Sequence, residues 1–395
     1  MPNEIVSILA SFDCIPKRLF DVVCGYVYSL TLQMKRHTFR AAADIAKLDE
    51  SRFCAFLNSL NAVEISRQVL NRAARRRLTK AKPIDGRYVF IIDSTIIGRR
   101  GRQVENAQKY HHGSGFANGH KFVNFVLLTP SGVIPIESLP IYTKKYCREN
   151  RITHRSEIEI VEAWLSSIKD STVLPSGWLK EALFLLDAGY DAKIIQRAIV
   201  GLGADFLMAL KCSRTVNGKQ VKEFFRTNRR WLPWNTIRLH VGSGTKKKKR
   251  RVFSIRTATK CNLKGVGPVT VVCSKTQSRA KRSMKFLVTS DSRLTGRQIV
   301  VWYARRWAIE TWHREMKQNY GFIDCKCARF SAIEAHINLA LAAFLLAKEK
   351  STKQKTMAEF AKLRELKMFA VELTKFGGIK RVKTLTYAAI QAMAA

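Results

Sequence analysis

Two short apolar runs, each leading into an aspartate, constrain this chain more than any other feature. Tyr88-Val89-Phe90-Ile91-Ile92 precedes Asp93, and Ala182-Leu183-Phe184-Leu185-Leu186 precedes Asp187. A short run without polar alternation reads as a strand covered on both faces, which places it inside a sheet flanked by helices. Both aspartates are therefore expected just past the ends of buried strands. Strand-end aspartates also cap ordinary turns, so neither is a functional signal alone.

The intervening pattern orders these strands. A Gly- and Arg-rich loop is expected from Gly98 to Gly119. Phe122–Leu128 and Val133–Tyr142 read as strands joined by the turn Pro130-Ser131-Gly132. A helix follows from about Ser156 to Ile168, with Ile158, Val161, Trp164, Leu165 and Ile168 on one face. After Asp187 come a helix from about Asp191 to Val200 and a strand over Asp205–Leu210. The α/β order β-β-β-α-β-α-β resembles that of the RNase H-like fold. There the first and fourth strands are neighbours, so Asp93 and Asp187 would converge.

Residues 212–290 break this rhythm with β-branched, basic segments at Thr236–Val241, Arg251–Ala258, Pro268–Ser274 and Met284–Thr289. They read as a β-rich insertion. The cationic run Lys246, Lys247, Lys248, Lys249, Arg250 and Arg251 lies beside Gly242-Ser243-Gly244, an expected hairpin tip. It is either a solvated tip or a contact for a phosphate backbone. From Thr295 a long helix is expected to carry Glu310, and residues after about Ser331 are again helical, with a basic tail. The expected organisation is a helical DNA-binding region over 1–84, the first part of the core over 85–211, the insertion over 212–290, the core helix with Glu310 over 291–330 and a helical basic C-terminal region over 331–395. The N-terminal region, with Arg72, Arg75, Arg76 and Arg77 at its end, can equally be a helical cap with a solvated basic face.

Lys and Arg number 70 against 30 Asp and Glu, a formal charge of +40. Such an excess concentrates polyanions at the surface, and counterion release drives binding to phosphate backbones. Nucleic acid is the expected partner. Nine cysteines, an odd number scattered through a long chain, do not form a disulfide framework, and Cys325 and Cys327 are too close for usual zinc spacing. Reduced thiols and a cytoplasmic location are expected. The apolar stretch from Ile5 to Met34 is interrupted by Asp13, Lys17, Arg18 and Asp21, which fits neither a signal peptide nor a membrane span.

Phosphodiester cleavage needs an activated nucleophile and neutralised charge on the attacking and leaving oxygens. Two Mg²⁺ ions ~3.5–4 Å apart supply both, with carboxylate oxygens as natural ligands. Asp93, Asp187 and a helical Glu310 would form a minimal cage. At 3.6 residues per turn, Tyr303, Arg306, Glu310 and Lys317 share one helix face. The alternative is an exposed face carrying an ordinary Arg306–Glu310 pair. The segment Gly113–Lys121 lacks the Gly-Lys-Ser/Thr ending of a phosphate loop, and His111, His112 and His120 could ligate a metal, although loop histidines in a basic protein more often face solvent or phosphate.

Tyr303-(2)-Arg306-(3)-Glu310-(6)-Lys317 resembles the Y-(2)-R-(3)-E-(6)-K signature of bacterial insertion-sequence DDE transposases. Ile91-Ile92-Asp93-Ser94-Thr95 and Asp187-Ala188-Gly189-Tyr190 resemble the contexts of that group's first and second carboxylates, and the resemblance spans roughly residues 85 to 325. It implies an RNase H-like core with a β-rich insertion, and Asp93, Asp187 and Glu310 holding two Mg²⁺, with Mn²⁺ able to substitute. Arg306 and Lys317 would contact phosphates of transposon ends, and Tyr303 a phosphate near the scissile bond. Trp307 is either a packed aromatic or a stacking surface for an unpaired base. Cut-and-paste transposition on double-stranded end and target DNA, by a dimer in the bacterial nucleoid and without a membrane, is the implied activity. A structure-specific nuclease of the same fold, or a DNA-binding protein that has lost catalysis, are the alternatives.

Overall fold

The computed structural model describes residues 3–32, 36–99, 101, 103–112, 115–171, 173–175, 177–241, 249–276 and 284–349. Five helices come first: α1 (Asn3–Ala10), α2 (Phe20–Leu32), α3 (Phe39–Ala46), α4 (Glu50–Leu57) and α5 (Ala62–Leu78). Local chemistry sets their starts. Thr38 Oγ1 accepts from Ala41 N at 3.1 Å and Asp49 Oδ1 from Ser51 N at 2.8 Å, satisfying amides that a first turn leaves unpaired.

The sheet begins with β1 (Tyr88–Gly98), β2 (Gln108–His112), β3 (Gly115–Thr129) and β4 (Gly132–Pro140), followed by α6 (Lys144–Glu149) and α7 (Glu157–Ser167). Then come β5 (Ala182–Leu186), α8 (Lys193–Gly201) and β6 (Asp205–Leu210). β1 is antiparallel to β3 and parallel to β5, and β5 is parallel to β6. The first and fourth strands of the expected order are thus neighbours. Phe90 stacks on Phe184 with centroids 4.9 Å apart, and Phe125 on Trp164 at 4.1 Å, which fastens α7 to the sheet.

Two expectations are corrected here. The segment Gly98–Gly119 contains β2, which pairs with β3 from Gln108↔Gly119 to His112↔Gly115. β1 also continues past Asp93 to Gly98, because β3 is long enough to keep pairing with it after β5 has ended.

The insertion contributes β7 (Thr215–Val216), β8 (Lys219–Gln220), α9 (Val221–Thr227), β9 (Asn235–Val241), β10 (Lys249–Leu263), β11 (Gly267–Thr276) and β12 (Met284–Thr289). It extends the same sheet, since β12 pairs antiparallel with β6. The order β2-β3-β1-β5-β6-β12-β11-β10-β7-β8, with β4 on β3 and β9 on β10, gives one sheet of 12 strands. Arg87, at the entry to β1, ion-pairs with Asp205 at 2.8 Å and with Asp291, tying the first core strand to the return from the insertion.

The remaining helices are α10 (Gly296–Ala304), α11 (Trp307–Asn319) and α12 (Phe330–Glu349). The long helix expected from Thr295 is broken at Arg305-Arg306. There the bonds tighten to three-residue spacing, with Arg306 N donating to Tyr303 O at 3.0 Å and Ala308 N to Arg305 O at 3.0 Å. Acids pull the two arginines to different places: Arg305 reaches Asp85 at 2.8 Å, while Arg306 reaches Asp93 and Glu310. α12 is long and apolar enough to cross a membrane, yet 89% of that stretch is buried inside the molecule. It packs on α5, where Arg67 pairs with Glu334 at 3.0 Å and Asn338 donates to Ser66 at 3.2 Å. The residues 350–395 of the expected C-terminal region lie outside the described residues.

Candidate active site

The last pair in the parallel β1–β5 ladder is Ile91↔Leu185. Two residues further on each chain stand Asp93 and Asp187, so the register alone sets the two aspartates side by side on the same face of the sheet. Asp187 caps the turn that follows, its Oδ1 accepting from Gly189 N at 2.6 Å. A Cβ on Gly189 would lie 2.8 Å from that oxygen, so only glycine allows the carboxylate to fold back so closely. Tyr190, 2% exposed, donates its hydroxyl to Glu157 Oε1 at 2.6 Å, and the other oxygen of Glu157 pairs with Lys121 of β3. The turn carrying Asp187 is thereby tied to the start of α7.

Arg306 lies among the acids. Its guanidinium is 3.3 Å from Asp93 Oδ2 and pairs with Glu310 one helical turn on. Burial works against the Arg306 charge, but Tyr303, Asp93 and Glu310 outweigh it and hold the pKa above the ordinary arginine value. Burial pushes the Asp93 carboxyl up to about 6. Arg306 and the Ser94 amide pull it down, and Asp187 and Glu310 add to the rise as like charges. Tyr303 is raised first by burial, with Arg306 opposing and Asp187 and Asp93 adding. Tyr303, Arg306, Asp93, Asp187 and Glu310 thus form one electrostatic group.

The other residues singled out by the sequence fall elsewhere. Lys317 donates to Ile96 O at 3.0 Å, fastening α11 to β1 beyond Asp93, and burial lowers its pKa. Trp307 opens α11 and is 58% exposed. Lys249, Arg250 and Arg251 begin β10, paired with Val241, His240 and Leu239. This establishes the hairpin, while the tip at Gly242-Ser243-Gly244 and Lys246, Lys247 and Lys248 lie outside the described residues.

Two buried polar residues, Asn124 and His313, were not among the candidate site residues. Asn124 faces Asp93 across β1 and β3 and is fully buried. Its Nδ2 lies 3.0 Å from His313 Nε2, and its Oδ1 has no partner among the described residues. Burial depresses His313 to about 3, with Lys317 and Arg306 adding, so the ring is neutral at physiological pH. The signal was a lone asparagine in the otherwise apolar Phe122–Leu128.

Residues 84–346 match the family model of the transposase DDE domain. The chain belongs to this transposase family. The transposase is therefore an enzyme acting on DNA, and the matched span covers the whole sheet together with Asp93, Asp187 and Glu310. No curated protein matches the chain.

Members of this family generally use divalent metals, and such an ion must fit the side chains present. The donor set is suitable: three carboxylates of hard oxygen ligands, beside a buried amide oxygen without a partner. The cluster already accommodates a cation, because Arg306 lies between Asp93 and Glu310. Among the described residues, no three acidic, histidine or cysteine side chains stand close enough together to ligate one ion. Asp93 and Glu310 are arranged around the guanidinium.

Proposed function

We propose that this transposase cleaves DNA at the ends of a mobile element and joins the freed 3′-hydroxyl to target DNA by in-line phosphoryl transfer. The observation that carries the reading is the convergence of Asp93 and Asp187, two residues past a shared parallel ladder, with Glu310 joined to Asp93 through Arg306. We further propose that β4-β3-β1-β5-β6 with α7, α8 and α11 is an RNase H-like core, a reading supported by its strand order and the parallel β1–β5 pair.

In this reading Asp93, Asp187 and Glu310 hold two Mg²⁺ ions, and Mn²⁺ can substitute. Bound there, the ions would activate a nucleophilic oxygen and neutralise charge on the leaving one. The protein's own groups do the rest. Burial keeps Asp93 in a low-dielectric site where each charge weighs more. The Tyr190–Glu157–Lys121 chain and Gly189 fix the direction of Asp187. Arg306 serves as counter-charge to the acids until a DNA phosphate competes for it, and Tyr303 beside it can donate to the same phosphate. Lys317 supplies its remaining N–H groups to the DNA while anchoring β1. Trp307, being exposed, is available for stacking. The hairpin with Lys246–Arg251 adds backbone affinity, a dimer holds two ends, and the enzyme works in the bacterial cytoplasm on the nucleoid.

Sequencing the DNA that flanks the gene for terminal inverted repeats, then cleavage of duplexes bearing them in Mg²⁺ and in EDTA, tests this reading. Metal-dependent nicking at the repeat boundary followed by joining is expected. Nicking that depends on DNA structure and ignores the repeats would indicate a nuclease, and binding without nicking would indicate a DNA-binding protein.

A further inference from the structure

The segment between β4 and α7 carries Lys144, Lys145, Arg148, Arg151, His154 and Arg155 against a single acid, Glu149. Residues 148–156 are all exposed. Glu149 pairs with Lys145 at 3.8 Å, and Arg148 and Arg151 make no ion pair among the described residues. Together with Lys144 and His154 they line an open notch floored by Cys147 and Ile152.

This arch is built. Thr143 caps α6 by accepting from Tyr146 N at 3.1 Å, and buried Cys147 anchors it. Ile152 N closes back onto Cys147 O at 3.0 Å, which puts Arg151 at φ 53, the left-handed position after a helix end. Glycine adopts that conformation without steric cost, so a long cation there is not a choice made by the backbone. At its far end the arch enters α7 through the Ser156 capping box, and the next residue, Glu157, holds Tyr190 of the Asp187 turn. The arch is thereby joined to the turn that carries Asp187.

We infer that residues 144–155 form a second DNA-binding element, which grips the phosphodiester backbone on the Asp187 side of the active site without reading sequence. The inference rests on the family's action on DNA and deepens the proposed function, but it does not require cleavage. Phosphates suit the notch because unpaired, exposed guanidinium groups of one sign repel one another until an anion lies between them.

The test is fluorescence anisotropy in EDTA, with labelled end and random duplexes titrated over a salt series. Replacing Arg148, Arg151 and Arg155 by Ser should weaken both duplexes alike, tenfold or more at low salt. The log–log salt slope should become shallower by about 0.9 for each phosphate that is no longer neutralised. Arg151→Gly separates function from structure. It should leave the melting temperature unchanged or higher, since glycine relaxes the left-handed position, while the slope still falls by about one phosphate's worth. Parent-like binding by Arg151→Gly, or an unchanged slope in the triple variant, overturns the inference. If the triple variant fails to fold, Arg151→Gly alone decides. Because no metal is present, a chain that binds through the arch yet never cleaves would overturn the metal reading and leave this one standing.

Discussion

Asp93→Asn should make the protein more stable while removing its chemistry, and the gain should depend on pH in a defined direction. The folded chain raises the Asp93 carboxyl from near 3.8 to about 6, chiefly through burial and in spite of Arg306. A carboxyl with a raised folded pKa binds its proton more tightly in the folded state. Its ionisation therefore lowers stability as pH climbs from about 4 to about 6, and the penalty is constant above that window. Roughly two units at about 1.36 kcal/mol each give a ceiling of about 3 kcal/mol. The side chain is only 17% exposed, so solvent screening trims this modestly. Asparagine is a neutral mimic of the same shape and escapes the penalty. Urea denaturation of both proteins in EDTA, from pH 3.5 to pH 8, should show near-equal stability at the acid end. The variant's advantage should grow to about 2–3 kcal/mol by pH 6.5 and stay level. A difference that does not change with pH, or a parent favoured at pH 8, would refute the view that burying the ionised Asp93 carboxylate costs stability.

Other perturbations follow from the same geometry. Gly189→Ala forces a Cβ to 2.8 Å from Asp187 Oδ1, so single-turnover cleavage should fall at least tenfold with little change in melting temperature. Arg306→Ala leaves Asp93 and Glu310 without their counter-charge; it should raise the Asp93 pKa further, measured by NMR titration, and flatten the salt dependence of end binding by about one phosphate's worth. Lys317→Ala should cost stability through removal of the bond to Ile96 O and should also release one phosphate, read by denaturation and by salt titration. Replacing Lys246–Arg251 by Ser and Gly should weaken end and random DNA alike in gel shifts at two salt concentrations; because Lys249–Arg251 begin β10, the stability lost should be confined to the β9–β10 hairpin while the rest of the fold holds.

Much of this fold was legible because its central strands are short apolar runs with sharp polar borders. The strands over 182–186, 205–210 and 284–289 have the observed bounds. β2 was not legible: Gln108–His112 has no apolar periodicity, because its pairing is to the polar start of β3 and not to the core. The face shared by Tyr303, Arg306, Glu310 and Lys317 assumed one continuous helix. At the break, Arg305 and Arg306 pair with Asp85 and Asp93, more than 200 residues away in sequence, and no local pattern can encode such contacts. Asn124 beside Asp93 and the Glu157–Tyr190 bond were hidden for the same reason, since cross-strand register and helix docking create them.

Asp93, Asp187 and Glu310 are proposed as the metal-dependent catalytic set of this transposase. The most direct measurement is nicking of repeat-bearing DNA in Mg²⁺ by Asp93→Asn, Asp187→Asn and Glu310→Gln, each first shown to bind that DNA as the parent does. All three variants should lose nicking by at least a thousandfold, because an amide replaces neither the charge nor the ligand oxygen. Nicking near the parent rate by any one of them would contradict the assignment.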